Sequence, residues 1–142
     1  MMNVLVCKSN NVMELAQLNR MLIEDEKGEN TMALPQLEQR MTEFLTSDYQ
    51  AFLFEVDGKH VGYALVNMTA APLYLRQFFI CREDRRLGYG KNAFFALLEH
   101  LQVNEIDIDV YAWNDRGIAF WKSLGFSIRC YNMRFKKHPF TY

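Results

Sequence analysis

A chain of 142 residues, half of them apolar and 14% aromatic, is long enough for one substantial core and short for two, so residues 1–142 are expected to form a single domain. Its 16 basic and 17 acidic side chains leave a formal charge of −1, without the global cationic field that draws a protein to nucleic acid or anionic lipid; neither is an expected partner. The longest apolar run, residues 93–98, is far short of the ~20 residues of a membrane span, and residues 1–10 hold too short a run for a signal peptide, which gives a cytoplasmic expectation.

Cys7, Cys81 and Cys130 are odd in number and lack CxxC spacing, which argues against a disulfide framework or a zinc site. His60, His100 and His138 lie far apart with no HxxxH or HxxE partner, so no metal is expected. Residues 4–7 read as a short strand. Asn10 or Asn11 then caps a helix in which Leu15, Leu18 and Leu22 recur at helical spacing and which should end near Gly28. Pro35 suits the first turn of a second helix whose Leu37, Met41, Phe44 and Leu45 share a face. Met13, Met21, Met32 and Met41 read as packing residues of this helical pair. Residues 51–56 and 60–68 are rich in strand formers and meet at Asp57-Gly58, a dipeptide of tight hairpins.

Residues 73–81 continue as a central strand, with Phe78, Phe79 and Ile80 as the apolar run of a strand covered on both faces. A helix over residues 90–103 carries the stripe Ala93, Phe94, Leu97, Leu98, Leu101. Ile106, Ile108 and Val110 alternate with aspartates in a half-buried strand, a helix spans residues 115–124 before Gly125, and a last strand is expected over residues 127–135. The order β-α-α-β-β-β-α-β-α-β, antiparallel first with one late crossover, predicts an α+β fold in which helices flank a mixed, mostly antiparallel sheet.

Between the central strand and the helix after it lies Arg85-Arg86-Leu87-Gly88-Tyr89-Gly90-Lys91. Two glycines one residue apart let a bulky anion approach the main chain, and the helix beginning there presents unpaired N–H groups and a positive dipole end. Three cations at such a turn, in a chain of charge −1, point to a diphosphate ligand. An ordinary glycine turn with solvated arginines is the bland alternative. Gly88, Gly90 and Ala93 also fit a dinucleotide fingerprint, with Asp107 or Asp109 about 20 residues on. Its spacing fails, because residues 81–87 separate the strand from the first glycine and too little chain follows for a doubly wound sheet.

The turn resembles the acetyl-CoA loop of the GNAT superfamily of acetyltransferases, Gln/Arg-x-x-Gly-x-Gly/Ala, which Arg85 to Gly90 matches at every specified position. A second family feature, an Asn followed by a helix and a closing Gly-Phe, corresponds to Asn114 through Gly125-Phe126. The resemblance implies that the main-chain groups of Phe78, Phe79 and Ile80 pair with the pantetheine arm and that the diphosphate rests on the amides of Arg86, Leu87, Gly88, Tyr89, Gly90 and Lys91, with Arg85 opening the loop. It implies further that Asn114, Phe120 and Trp121 line the far wall of a cleft between two splayed strands. The implied activity is N-acetyl transfer from acetyl-CoA, as cosubstrate, to a primary amine of a small molecule or peptide by direct attack in a ternary complex. By the same resemblance a backbone N–H near Ile80 stabilises the oxyanion; a monomer or a homodimer is expected, and the sequence does not choose between them.

Trp121 stands where family members commonly carry a tyrosine that protonates the departing thiolate, and indole is no such acid. Tyr74 stands where some carry a basic glutamate. Neither proton-transfer residue therefore carries over, and Tyr63, Tyr74, Tyr111 and Tyr131 remain candidate acids or strand packing. Glu24-Asp25-Glu26, at the end of the first helix, offers three carboxylates that could hold a cationic acceptor or accept its proton, with Glu24 and Asp25 the candidates for binding the acceptor, the alternative being a solvated helix end. A catalytically weak acyl-CoA sensor and a nucleotide-binding regulatory domain remain the alternatives to an enzyme.

Overall fold

The computed structural model describes residues 1–138. In chain order the elements are β1 (Asn3–Val6), α1 (Val12–Glu26), α2 (Leu34–Leu45), β2 (Tyr49–Val56), β3 (Lys59–Asn67), β4 (Leu73–Ile80), α3 (Tyr89–Leu101), β5 (Ile106–Ile108) and α4 (Asp115–Ser123). The strands form one sheet in the order β1-β2-β3-β4-β5, antiparallel except for the parallel β4–β5 pair. The expected α+β sheet with flanking helices is therefore the fold observed.

Local chemistry sets the boundaries. Asp57 and Gly58 both take positive φ, 50° and 79°, which turns β2 into β3 in a tight hairpin. Lys27, at φ 50°, rather than Gly28 supplies the left-handed cap of α1. One face of the sheet packs Leu53, Tyr63, Leu65 and Phe79 against Leu15, Leu18 and Leu22 of α1 and Met41 of α2. The other packs Phe52, Phe54, Val66, Leu75 and Ile80 against Ala93, Phe94 and Leu97 of α3. Met13, Met21 and Met32 lie off these stripes and are exposed, so of the four methionines read as packing only Met41 is buried.

Two departures from the sequence reading matter for the site. A bulge on β4 lies opposite the step from Leu65 to Val66, which pair with Gln77 and Leu75 and leave Arg76 without an opposing residue. At the C-terminal end, residues 127–138 form no strand; Ile128, Tyr131, Met133 and Phe135 are exposed. β5 ends at Ile108, so the ladder is too short to template the strand that was expected there. Among the described residues no helix is long and apolar enough to cross a membrane.

Candidate functional site

β4 and β5 pair only over Leu73–Ile106, Tyr74–Asp107 and Leu75–Ile108. Beyond Leu75 the two strands part, and among the described residues no main-chain hydrogen bond joins residues 76–80 to the chain after Ile108. The facing of the exposed edge follows from register. Cys81 N–H donates to Val61 C=O at 2.8 Å, so alternation along the antiparallel ladder turns the main chain of Phe79 toward β3 and that of Phe78 and Ile80 toward the vacated side. The three residues thus divide: Phe78 and the Ile80 N–H face the cleft, whereas Phe79 has its main chain in the sheet and its side chain in the core.

The glycine turn closes one end of this cleft. Gly88 takes φ 77° and is the N-cap of α3. The amides of Arg86, Leu87, Gly88, Tyr89, Gly90 and Lys91 donate to no main-chain carbonyl of the described residues. Six adjacent unpartnered donors at a helix N-terminus are an anion cradle. A Cβ built on Gly88 would enter open space, so the turn admits a ligand close to the backbone, whereas one on Gly90 would lie 3.0 Å from the Phe120 ring. Arg86 and Lys91 make no ion pair among the described residues, but Arg85 is differently employed. Its Nε donates to Ile80 C=O at 2.8 Å, its guanidinium lies 5.2 Å from the Phe79 ring centre, and its terminal nitrogen pairs with Asp25. Arg85 therefore braces the end of β4 against α1, and its charge is spent on Asp25.

The opposite wall is aromatic. Phe78 meets Phe120 at 6.2 Å, stacked, and Trp121 at 5.2 Å, edge-on. The indole also touches Phe94 and Phe126, so its main work is to bind α4 to β4 and α3. Asn114 is the N-cap of α4, its Oδ1 accepting from Gly117 N–H at 3.0 Å. That bond explains the Asn at this point of the motif in structural terms. Gly117 leaves room for it, since a Cβ would fall 2.5 Å from Asn114 Nδ2.

The end of α1 supplies the acidic side. Asp25 bonds both Arg82 and Arg85. Burial would raise its pKa, but the hydrogen bonds and charges of Arg85 and Arg82 outweigh that and hold the carboxyl below its ordinary range. Among the described residues, exposed Glu24 has no hydrogen-bond partner and half-buried Glu26 no side-chain partner; burial, then the Asp25 charge, raise the Glu26 pKa. The loop after β5 rests here: Tyr111 stacks on Trp113 at 4.5 Å, and Trp113 Nε1 donates to the Glu26 carbonyl at 3.1 Å. Sequence reasoning passed over Trp113; it named Glu26 as one of three carboxylates able to hold a cationic amine or accept its proton, but singled out Glu24 and Asp25 for acceptor binding.

The candidate acids divide as well. Tyr63 is fully buried and donates to Gln77 Oε1 at 2.8 Å; burial raises its pKa. Tyr74 donates to Asp109 at 2.9 Å, and burial followed by that bond raises its pKa too. Tyr131 is exposed on the strandless segment and Tyr111 lies over Gly28. Cys81, Glu83 and Asp84 lie close enough to share a metal ion, yet Asp84 is bonded to Lys59 at 2.9 Å, and burial and then the charges of Glu83 and Asp84 raise the pKa of the thiol.

The pattern of the acetyltransferase (GNAT) family matches residues 15–126. Among solved structures, a possible acetyltransferase from Clostridium difficile 630 is 16% identical with a TM-score of 0.76, covering 97% of this chain and 98% of that one. The aminoglycoside N-acetyltransferase AAC(6')-Iy in complex with CoA is 17% identical with a TM-score of 0.75, over 96% of this chain and 95% of the other. A ribosomal-protein-alanine N-acetyltransferase from Brucella melitensis biovar Abortus 2308 is 14% identical, with a TM-score of 0.72 over 95% of this chain and 100% of the other. At such identities the likeness is one of fold. No protein of curated function matches the sequence significantly.

Proposed function

The chain belongs to the acetyltransferase (GNAT) family and is, as a member, an acetyl-CoA-dependent N-acetyltransferase; we propose that it acetylates a primary amine of a small molecule or peptide by direct attack in a ternary complex. The observation that carries this reading is the parting of β4 from β5 beyond Leu75, together with six unpartnered amides at the start of α3, where Gly90 lies against Ile80 and Phe120.

On this reading Phe78 and the Ile80 N–H take the pantetheine arm as an added strand, and Arg86, Leu87, Gly88, Tyr89, Gly90 and Lys91 take the diphosphate. Arg85 acts through its brace to Ile80, Phe79 supports the edge from the sheet, and Phe120 and Trp121 form the apolar wall that Asn114 holds in place by capping α4. When bound, acetyl-CoA supplies a thioester carbonyl open to a neutral amine. Glu26 is the group best placed to take the amine's proton, directly or through water, because its raised pKa moves it toward the range useful to a base at neutral pH. Glu24 adds negative charge for a cationic acceptor, and Asp25, tied to two arginines, sets the position of its neighbours. The Ile80 N–H, turned into the cleft, is the donor available to a developing oxyanion.

Thiol release from acetyl-CoA with a panel of amines tests the reading, the expected result being turnover with at least one. Coenzyme A that binds without turnover of any amine would favour an acyl-CoA sensor.

A further inference from the structure

Arg40 on α2 and Arg76 on β4 are two cations for which no carboxylate is provided. Neither takes part in an ion pair among the described residues. Arg40 donates from its Nη2 to Asn19 Oδ1 at 2.9 Å, while its Nε is buried with no partner. Arg76 makes a 3.4 Å contact to Tyr49 Oη. Both guanidiniums lie over the Phe44 ring, at 5.5 and 5.1 Å from its centre. Burial and the nearby Arg76 charge both work against the charge on Arg40, which stays protonated all the same. A half-buried guanidinium with an idle donor, within electrostatic reach of a second guanidinium, is a costly arrangement unless an anion completes it.

The fold explains how the pair is made. In a regular strand Arg76 and Gln77 would face opposite sides of the sheet. The bulge puts both on the α1–α2 face, Gln77 against Tyr63 and Arg76 against Phe44 and Tyr49. Arg76 is two residues before Phe78, where the cleft edge begins, and so about 7 Å along the strand from it. Glu26 and Arg40 both bear on the Tyr63 phenol, yet no ion pair joins them, which leaves an acidic and a basic pole on one face of the sheet.

We propose that Arg40 and Arg76 form a carboxylate-binding subsite beside the acyl-transfer cleft, so that the substrate carries a carboxylate a few bonds from the reacting centre. The reading rests on the acetyltransferase assignment. The carboxylate belongs to the acceptor, as in an amino acid or peptide, or to the end of the acyl chain, and the two are separable by experiment. Arg76 is the variant of choice because it is exposed, whereas Arg40 packs between α1 and α2.

Matched acceptors, each an amino acid and its methyl ester, are assayed with acetyl-CoA, and acetyl-CoA is compared with succinyl-CoA on a neutral amine. In parallel, N-acetyl amino acids and their methyl esters are tested by thermal shift in the presence of CoA. An acceptor subsite gives at least a tenfold preference in kcat/KM for the acid over the ester, about what a charge-assisted hydrogen bond confers, and Arg76→Gln abolishes the preference by lowering kcat/KM for the acids far more than for the esters. Succinyl-CoA outpacing acetyl-CoA, with the same dependence on Arg76, would instead place the carboxylate on the acyl chain. A carboxylate-dependent thermal shift without turnover would uphold the subsite and reject the acetyl-transfer reading. Turnover in which acids and esters, and the two thioesters, are alike in wild type and Arg76→Gln, with no carboxylate-dependent shift, would overturn the subsite and leave acetyl transfer standing. Absence of both turnover and shift would overturn both.

Discussion

The two glycines of the turn are expected to answer differently to the same substitution, and the difference isolates ligand binding from folding. Gly88 has φ 77°, and a Cβ there meets nothing within 4 Å. Alanine at such a φ costs roughly 1–2 kcal/mol in backbone strain, partly offset by roughly 0.4–1 kcal/mol from the narrower unfolded ensemble. The net loss of about 1 kcal/mol corresponds to a fall in Tm of about 4 °C for a domain of this size. The open space is, however, where phosphate would approach. A methyl group there would displace the anion from its amides, and at about 1.5–3 kcal/mol for each hydrogen bond to a charged group, losing one weakens CoA binding by about 10- to 100-fold. Gly90 has no positive φ. A Cβ there would lie 3.0 and 3.1 Å from two Phe120 ring atoms, a contact that a half-buried ring relieves by moving a few tenths of an ångström. Alanine also improves on glycine within a helix by up to about 1 kcal/mol. Gly90→Ala should therefore keep both stability and CoA affinity within about threefold of wild type, a factor worth under about 1 kcal/mol. Calorimetric titration of CoA against each variant, with Tm measured in its absence, makes the comparison. Wild-type affinity in Gly88→Ala, or a greater loss in Gly90→Ala, would refute the placement of the diphosphate.

Glu26→Gln should leave CoA affinity unchanged, lower kcat by at least about 10²-fold and remove the acidic limb of the pH–rate profile; a limb that persists would exclude Glu26 as the base. Trp121→Phe should mainly raise the KM for acetyl-CoA through lost packing against Phe78 and Phe94, with kcat falling less than about 10²-fold, and steady-state kinetics separate the two. Asp25 has a folded pKa below its unfolded one, so its contribution to stability is full above the unfolded value and is lost as pH falls through the folded value. Asp25→Asn should thus lower stability at neutral pH by about 1 kcal/mol and flatten the acid decline in Tm below about pH 4; an equally steep decline in the variant would contradict this.

The elements that could be read from sequence are those fixed by short-range chemistry. The leucine stripe of α1, the Asp57-Gly58 turn and the glycine-rich start of α3 each depend on residues within a few positions of one another, and each appears where its pattern placed it. The last expected strand failed because a strand needs a partner, and the extent of β5 depends on where β4 turns away from it. Within the site, the motif gave the loop and the start of α4 but could not say that Arg85 would be spent on Asp25 and Ile80, since those partners lie on α1 and at the end of β4. Arg76 did leave a trace. Arg76 and Gln77, two polar residues in succession within an apolar strand, break its alternation, and that is the mark a bulge leaves in sequence.

The tryptophan at position 121 need not impair catalysis, and the proton inventory shows why. An amine attacking a thioester has two proton problems, the loss of one from nitrogen and the gain of one by sulfur. They are unequal. A primary amine resembling the lysine side chain, with a pKa near 10.4, is about 99.9% protonated at neutral pH, so a base that removes its proton shortens a deficit of more than three powers of ten. A thiol resembling that of cysteine, with a pKa of about 8.5, departs as a thiolate that water can protonate, and an acid there gains far less. The proposed roles follow the same inequality. On the α1 side Glu26 stands partly desolvated and unpaired, while on the α4 side Phe78, Phe94, Phe120 and Phe126 surround an indole that offers packing and no acid.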